Sequence, residues 1–150
     1  MRMVCLAALI VLVSCMEKKT EEYLKISPTI KDYFSRSMPE ANNKFSIVYY
    51  YSGDCSICYG NILSMSEKLP EIPLIILSSS SDTVLISSYI DKIQYKGKVM
   101  VDSGAVFFNN NQAVLKKNKI LLIDSSNKIL AKSEYVFDNK AYADFKAEMN

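Results

Sequence analysis

Cys55 and Cys58 stand two residues apart in the stretch SGDCSICYGN, Ser52 to Asn61. Two thiols at that spacing can cycle between dithiol and disulfide, supply half of a metal site, or form a structural staple. The chain contains no histidine. That removes Cys–His nucleophiles, Ser–His–Asp triads and every His-ligated metal site together. Two thiolates without further ligands do not complete a tetrahedral zinc or iron–sulfur site. No metal and no other cofactor is expected.

The neighbouring residues assign the two sulfurs different tasks. The apolar run FSIVYYY (Phe45 to Tyr51) reads as a strand, and Cys58, Ile62, Met65 and Leu69 recur at helical steps of four, three and four. The pair therefore lies at a strand-to-helix junction. A helix amino terminus carries unpaired N–H groups and about half a positive charge, which pulls a thiolate pKa below its free value of about 8.5. Cys55 belongs to that exposed first turn, and Cys58 to the apolar stripe. The expected division of labour is attack on a partner disulfide by Cys55, then release of the mixed disulfide by Cys58. Asp54, just before Cys55, opposes the thiolate electrostatically or caps the helix, and capping is the preferred reading. Ser56 and Ile57, between the cysteines, include no histidine or proline to tune the couple, so the direction of electron flow stays open.

The first residues, MRMVCLAALIVLVSC, place Arg2 before an apolar run from Val4 to Val13, then Ser14 and Cys15. That run is too short for a stable bilayer span and suits the hydrophobic region of a secretion signal. Its end, LVSC (Leu12 to Cys15), resembles a bacterial lipobox, which implies cleavage before Cys15 and lipidation of its sulfur. Residues 1–14 then form the signal peptide, 15–25 a polar lipidated tether beginning MEKKTEEY, and 26–150 the folded domain. Acyl chains bury methylenes at roughly 0.8 kcal/mol each, so a multiply acylated cysteine holds durably. Of four cysteines, Cys5 leaves with the signal and Cys15 carries lipid. Cys55 and Cys58 have only each other, and outside the cytosol they are expected mostly as a disulfide.

About 135 residues remain after the signal, enough for one core. Lys plus Arg total 18 against 16 acids, with no basic stripe, so nucleic acid is not an expected partner. Ser27-Pro28 reads as a capped helix start with Ile30, Phe34 and Met38 on one face. Pro73 to Leu77 reads as a buried strand, Ile86, Tyr89, Ile90 and Ile93 as one side of a helix, and KVMVDS as a further strand. GAVFFNNN is a short helix or loop. KILLIDSSNKILAKSEYV is a hairpin about the turn Asp124 to Asn127, with Ile129, Ala131, Ser133 and Tyr135 alternating against Lys128, Lys132 and Glu134. A last helix sets Tyr142, Phe145 and Met149 on one stripe. Asn109 to Gln112 and Lys116 to Lys119 read as solvated loops, and Tyr49, Tyr50 and Tyr51 as sheet packing. The order of elements builds an α/β three-layer sandwich, a central mixed sheet with helices on both faces.

The CSIC motif at its βα junction, within this order, resembles the thioredoxin-like fold. The lipobox, the extra strand and the block ILLIDSSNKIL resemble the TlpA-type membrane-anchored thiol-disulfide oxidoreductases. Three positions depart from that pattern. Asp54 replaces the usual aromatic, and Tyr49 occupies the place of a buried proton-moving acid. No proline follows Pro73, so the family's cis-proline is missing, and its equivalent falls near Lys117 or Asn118. A non-proline cis bond costs about 3 kcal/mol, so a trans peptide is expected there.

Two functions follow from the resemblance and the residues. The first is an envelope oxidoreductase, lipid-anchored on the periplasmic side or the cell surface. It would exchange disulfides with envelope proteins such as secreted proteins or cytochrome precursors, and be served by an upstream thiol donor. The alternative is a redox-inactive binding or accessory lipoprotein with a structural Cys55–Cys58 disulfide, which Asp54 and the missing proline favour.

Overall fold

The computed structural model describes residues 21–37, 44–52, 55–117 and 119–150. The expected signal peptide, Cys15, Met38, Asp54 and Asn118 lie outside the described residues.

The central strand is β1, Phe45–Tyr51. Its residues after Phe45 are all buried, which requires cover on both faces of the sheet. It pairs in parallel with β2 (Leu74–Ser78) and antiparallel with β4 (Ile120–Asp124). A short β3 (Val99–Val101) and β5 (Ile129–Ser133) complete a five-stranded sheet of order β3-β2-β1-β4-β5. The connections β1–β2 and β2–β3 step in one direction through α2 (Ser56–Lys68) and α3 (Thr83–Lys92). Right-handed crossovers in one direction put both helices on one face. There Ile62 and Met65 of α2 and Leu69 just after it, with Phe145 of α6 (Asn139–Met149), pack on Ile47, Tyr49 and Tyr51. The opposite face carries α1 (Pro28–Ser37), α4 (Val106–Asn110) and α5 (Gln112–Leu115). Its core joins Ile30, Phe34, Phe107 and Leu115 to Val48, Tyr50, Leu121 and Ile123. Alternation along β1 thus feeds two separate cores. The expected three-layer α/β sandwich is the observed architecture. Among the described residues, no helix is long and apolar enough to cross a membrane.

Local chemistry sets the element ends. Asp82 caps α3 by accepting the Leu85 N–H at 2.9 Å, and Asp138 caps α6 at the Ala141 N–H, 2.8 Å away. Ser27 does not cap α1 as its sequence position predicts. Its hydroxyl is buried and finds no partner among the described residues, while its carbonyl accepts the Ile30 and Lys31 N–H groups. At the β4–β5 turn, Asp124 Oδ1 accepts from the Ser126 and Lys128 N–H groups at 2.8 and 3.0 Å.

Two expectations shift. Tyr135 was placed on the buried side of the last strand, but β5 ends at Ser133 and Tyr135 is 61% exposed. The chain leaves the sheet there because Asn61 of α2 takes the Tyr135 carbonyl. Residues 21–25, allotted to the tether, pack against the domain. Tyr23 bridges Lys128, Leu24 is buried, and Glu21 and Glu22 pair with Lys128 and Lys132. This segment covers the open edge of β5.

Candidate functional site

Cys55 is the residue on which α2 begins. It occupies the N-cap position with extended backbone, φ −99° and ψ 106°, and makes no side-chain capping bond. Its carbonyl accepts the Cys58 N–H at 3.0 Å, so the first helical turn closes across the pair. The two residues are joined as a disulfide, with Cα atoms 5.2 Å apart. Cys55 is half-buried at the rim of the core, whereas Cys58 is 9% exposed and packs inside it. Ser56 and Ile57 face outward, Ile57 with 64% of its surface exposed. The motif thus presents one sulfur near solvent, at the positively polarised end of a 13-residue helix, and keeps the other beneath it.

Tyrosines form the floor. The Tyr51 hydroxyl donates to that of Tyr59 at 3.4 Å, their rings meet edge to face, and Tyr59 stacks on Tyr89 with centroids 4.4 Å apart. Tyr49 stacks on Tyr51, and its hydroxyl accepts the Asn61 side-chain N–H at 3.1 Å. Burial pushes the Tyr49 pKa up to about 12. Burial also raises that of Tyr51 well above the usual range, reinforced by the Tyr59 hydroxyl. These phenols stay neutral at ordinary pH. Tyr49, in the position of the family's buried acid, is a core residue. The one buried carboxylate among the described residues is Asp102, which lies on the opposite face and accepts the Tyr50 hydroxyl at 3.1 Å.

The segment before β4 returns to the same end of the sheet. Lys117 is exposed and its N–H reaches the Val114 carbonyl at 3.3 Å. Asn118, and with it the Lys117–Asn118 bond, lies outside the described residues. Lys119 differs from the solvated lysine expected. It is half-buried, with its ammonium over the Tyr50 and Phe108 rings. Asn111, read as part of a polar loop, is buried and holds both backbone groups of Lys25, at 2.7 and 2.9 Å.

Sequence reasoning missed Asn61 and Lys119. Asn61 follows Cys58 by three positions on α2, so a polar side chain on the buried face was a usable signal. A cleft of about 740 Å³ lies away from the disulfide, at the amino ends of β2 and β3, lined by Tyr33, Leu69, Pro73, Tyr95 and Lys98.

No protein-family model and no curated protein matches the chain. Solved structures do. The thioredoxin domain of a thiol-disulfide oxidoreductase from Bacteroides vulgatus superimposes with a TM-score of 0.56 at 17% identity, covering 72% of this chain and 81% of that one. A secreted Mycobacterium tuberculosis disulfide oxidoreductase homologous to E. coli DsbE matches with a TM-score of 0.57 at 11% identity, over 70% and 82% of the two chains. A SCO1/SenC family lipoprotein from Bacillus anthracis matches with a TM-score of 0.53 at 12% identity, over 72% and 83%. At these identities the likeness concerns the fold. The chain has a thioredoxin-like fold.

Proposed function

We propose that the protein is a lipid-anchored thiol-disulfide oxidoreductase of the bacterial cell envelope, working through Cys55 and Cys58. The observation that carries this reading is the asymmetry of the pair: Cys55 half-exposed at the start of α2, Cys58 buried one turn on. In the reduced protein, the Cys55 thiolate attacks a partner disulfide. A Cys55–partner bond forms and one partner thiolate leaves. Cys58 then attacks the Cys55 sulfur, forming the Cys55–Cys58 disulfide and expelling the second partner thiolate. The partner gains two electrons and the protein loses two; a thiol donor reverses the change. Run backward, the same steps oxidise a dithiol partner. The partners are disulfide-containing envelope proteins, and the membrane attachment is the lipid on Cys15. The structural match to a lipoprotein supports that setting by analogy only.

The test is trapping. Cys58→Ser should accumulate mixed disulfides through Cys55, visible on non-reducing gels and lost on reduction. Failure to trap any partner, alongside a competent oxidoreductase control, would reject exchange. The second reading, an accessory lipoprotein with a structural disulfide, is favoured by Tyr49 and its neutral, Asn61-bound hydroxyl where the family keeps an acid. A reduction potential far below about −300 mV would decide for it.

A further inference from the structure

The cleft at the amino ends of β2 and β3 opens where the margins of the two cores meet. Ile72, Leu74 and Val99 edge the core under α2, and Met100 edges the core under α1. All four are only half-buried, so aliphatic surface stays open to water inside a space of about 740 Å³. Small-molecule sites commonly span about 300–1,000 Å³ with a largely apolar lining. The walls are fixed in place. Tyr33 donates its hydroxyl to the Ile76 and Lys98 carbonyls at 3.1 and 2.8 Å, and Tyr95 donates to the Leu74 carbonyl at 3.5 Å. Gly97 makes room for the Tyr95 ring, because a Cβ there would stand 2.2 Å from its hydroxyl oxygen.

The rim is cationic. Arg36, at the end of α1, and Lys98, just before β3, line the cleft and are exposed. Neither joins the ion pairs among the described residues, which engage Lys128, Lys132, Lys140 and Lys146. Arg36 commits its Nε to the Asp32 carbonyl at 3.0 Å, which leaves the terminal N–H groups of its guanidinium to meet a ligand. The carboxylate on this rim, Glu71, is already paired with Lys146 at 3.2 Å. Its own backbone N–H and that ammonium hold its carboxyl below the usual range, so it stays an occupied anion. An aliphatic floor beneath two uncompensated cations fits a molecule with an alkyl body and an anionic head. Burial of the alkyl chain supplies affinity, while the cations fix its direction and discriminate against the opposite charge. A guanidinium also matches the geometry of a carboxylate.

We propose that this cleft is a binding site for an aliphatic carboxylate, with Arg36 and Lys98 at its head and Ile72, Leu74, Val99 and Met100 along its chain. The cleft lies away from the disulfide, and the proposal stands apart from the exchange reading.

Photolabelling tests it. The full chain, held in phosphatidylcholine nanodiscs, is irradiated with octanoic acid carrying a diazirine on its alkyl chain, and the adducts are mapped by peptide mass spectrometry. Adducts should saturate, gather on residues 69–74 and 97–100, and be competed by octanoate but not by octylamine. Arg36→Gln and Lys98→Gln should each raise the half-saturating concentration about threefold, as expected of exposed ion pairs. The double variant should raise it about tenfold if the two act independently. Lys140→Gln removes an exposed cation outside the cleft and should leave the half-saturating concentration unchanged. Equal thermal unfolding of these surface variants establishes that the shifts report on the cleft. Adducts scattered along the chain, equal competition by octylamine, or the same half-saturation in the double variant would overturn the proposal. So would a chain that is not labelled at the cleft and sediments as a dimer, which would give the cleft to a second copy.

Discussion

Asn61 and Phe137 are joined across the interior: the Asn61 Oδ1 accepts the Phe137 N–H at 3.0 Å, while its Nδ2 donates to the Tyr135 carbonyl at 2.6 Å and the Tyr49 hydroxyl at 3.1 Å. One side chain on the cysteine helix therefore fastens the loop into α6 and the floor of the site. Asn61→Ala leaves the buried Phe137 N–H unmet and should cost about 2–3 kcal/mol, read as a lower urea midpoint. An effect below about 0.5 kcal/mol would show that the loop holds without it.

Ile62 is completely buried between α2 and the sheet. Ile62→Ala removes methyl groups that the close-packed core cannot fully collapse around, and should destabilise by about 2–5 kcal/mol. Exposed Val84, on α3, should accept alanine within about 0.5 kcal/mol. Chemical denaturation of the two variants compares them directly.

Asp102 and Tyr50 form the buried polar pair on the other face. Asp102→Ala also strips the acceptor from two N–H groups of α4, whereas Tyr50→Phe removes one bond. The first variant should lose more stability than the second, and a double-mutant cycle should give a coupling of about 0.5–3 kcal/mol. Strict additivity would mean that the hydroxyl and carboxylate do not interact.

Alkaline pH should unfold the protein through its buried phenols. Unfolded tyrosine ionises near pH 10, while Tyr49 and Tyr95 in the fold are pushed up to about 12 by burial. Their folded pKa is raised, so the stability they confer is complete below pH 10 and lost as pH climbs towards 12. Urea midpoints taken from pH 9 to 12 should fall over that window, less steeply for Tyr49→Phe. The same slope in both proteins would exclude Tyr49 as a source.

The anchor is tested separately from the redox chemistry. Cys15→Ser should abolish fatty-acid labelling and release the protein from membranes or leave it as precursor. Labelling that persists in the variant would contradict lipid attachment at that sulfur.

Most elements were legible because their residues repeat a simple period. Cys58, Ile62, Met65 and Leu69 marked α2, and the apolar run from Phe45 to Tyr51 marked β1. The turn at Asp124 was legible from its short polar residues, which bond their own backbone. Ser27 was misread because a hydroxyl before proline fits the cap pattern, whatever the packing then allows. Tyr135 was misread because alternation continues in the sequence after the hydrogen-bonded ladder has stopped.

Local sequence determined the chemistry on offer: two cysteines at a βα junction, no histidine, and a helix whose apolar stripe begins at the second sulfur. Those depend on spacing along the chain, and spacing is visible in one dimension. The tertiary structure alone decided that Lys119 is a pinned, ring-covered cation, that Asn61 ties the cysteine helix to the last loop, and that residues 21–25 close the sheet edge. Each joins residues far apart in sequence, and nothing in either segment encodes the meeting. It arises when strand order brings the ends of β1, β4 and β5 together and burial removes the water that each polar group would otherwise have used.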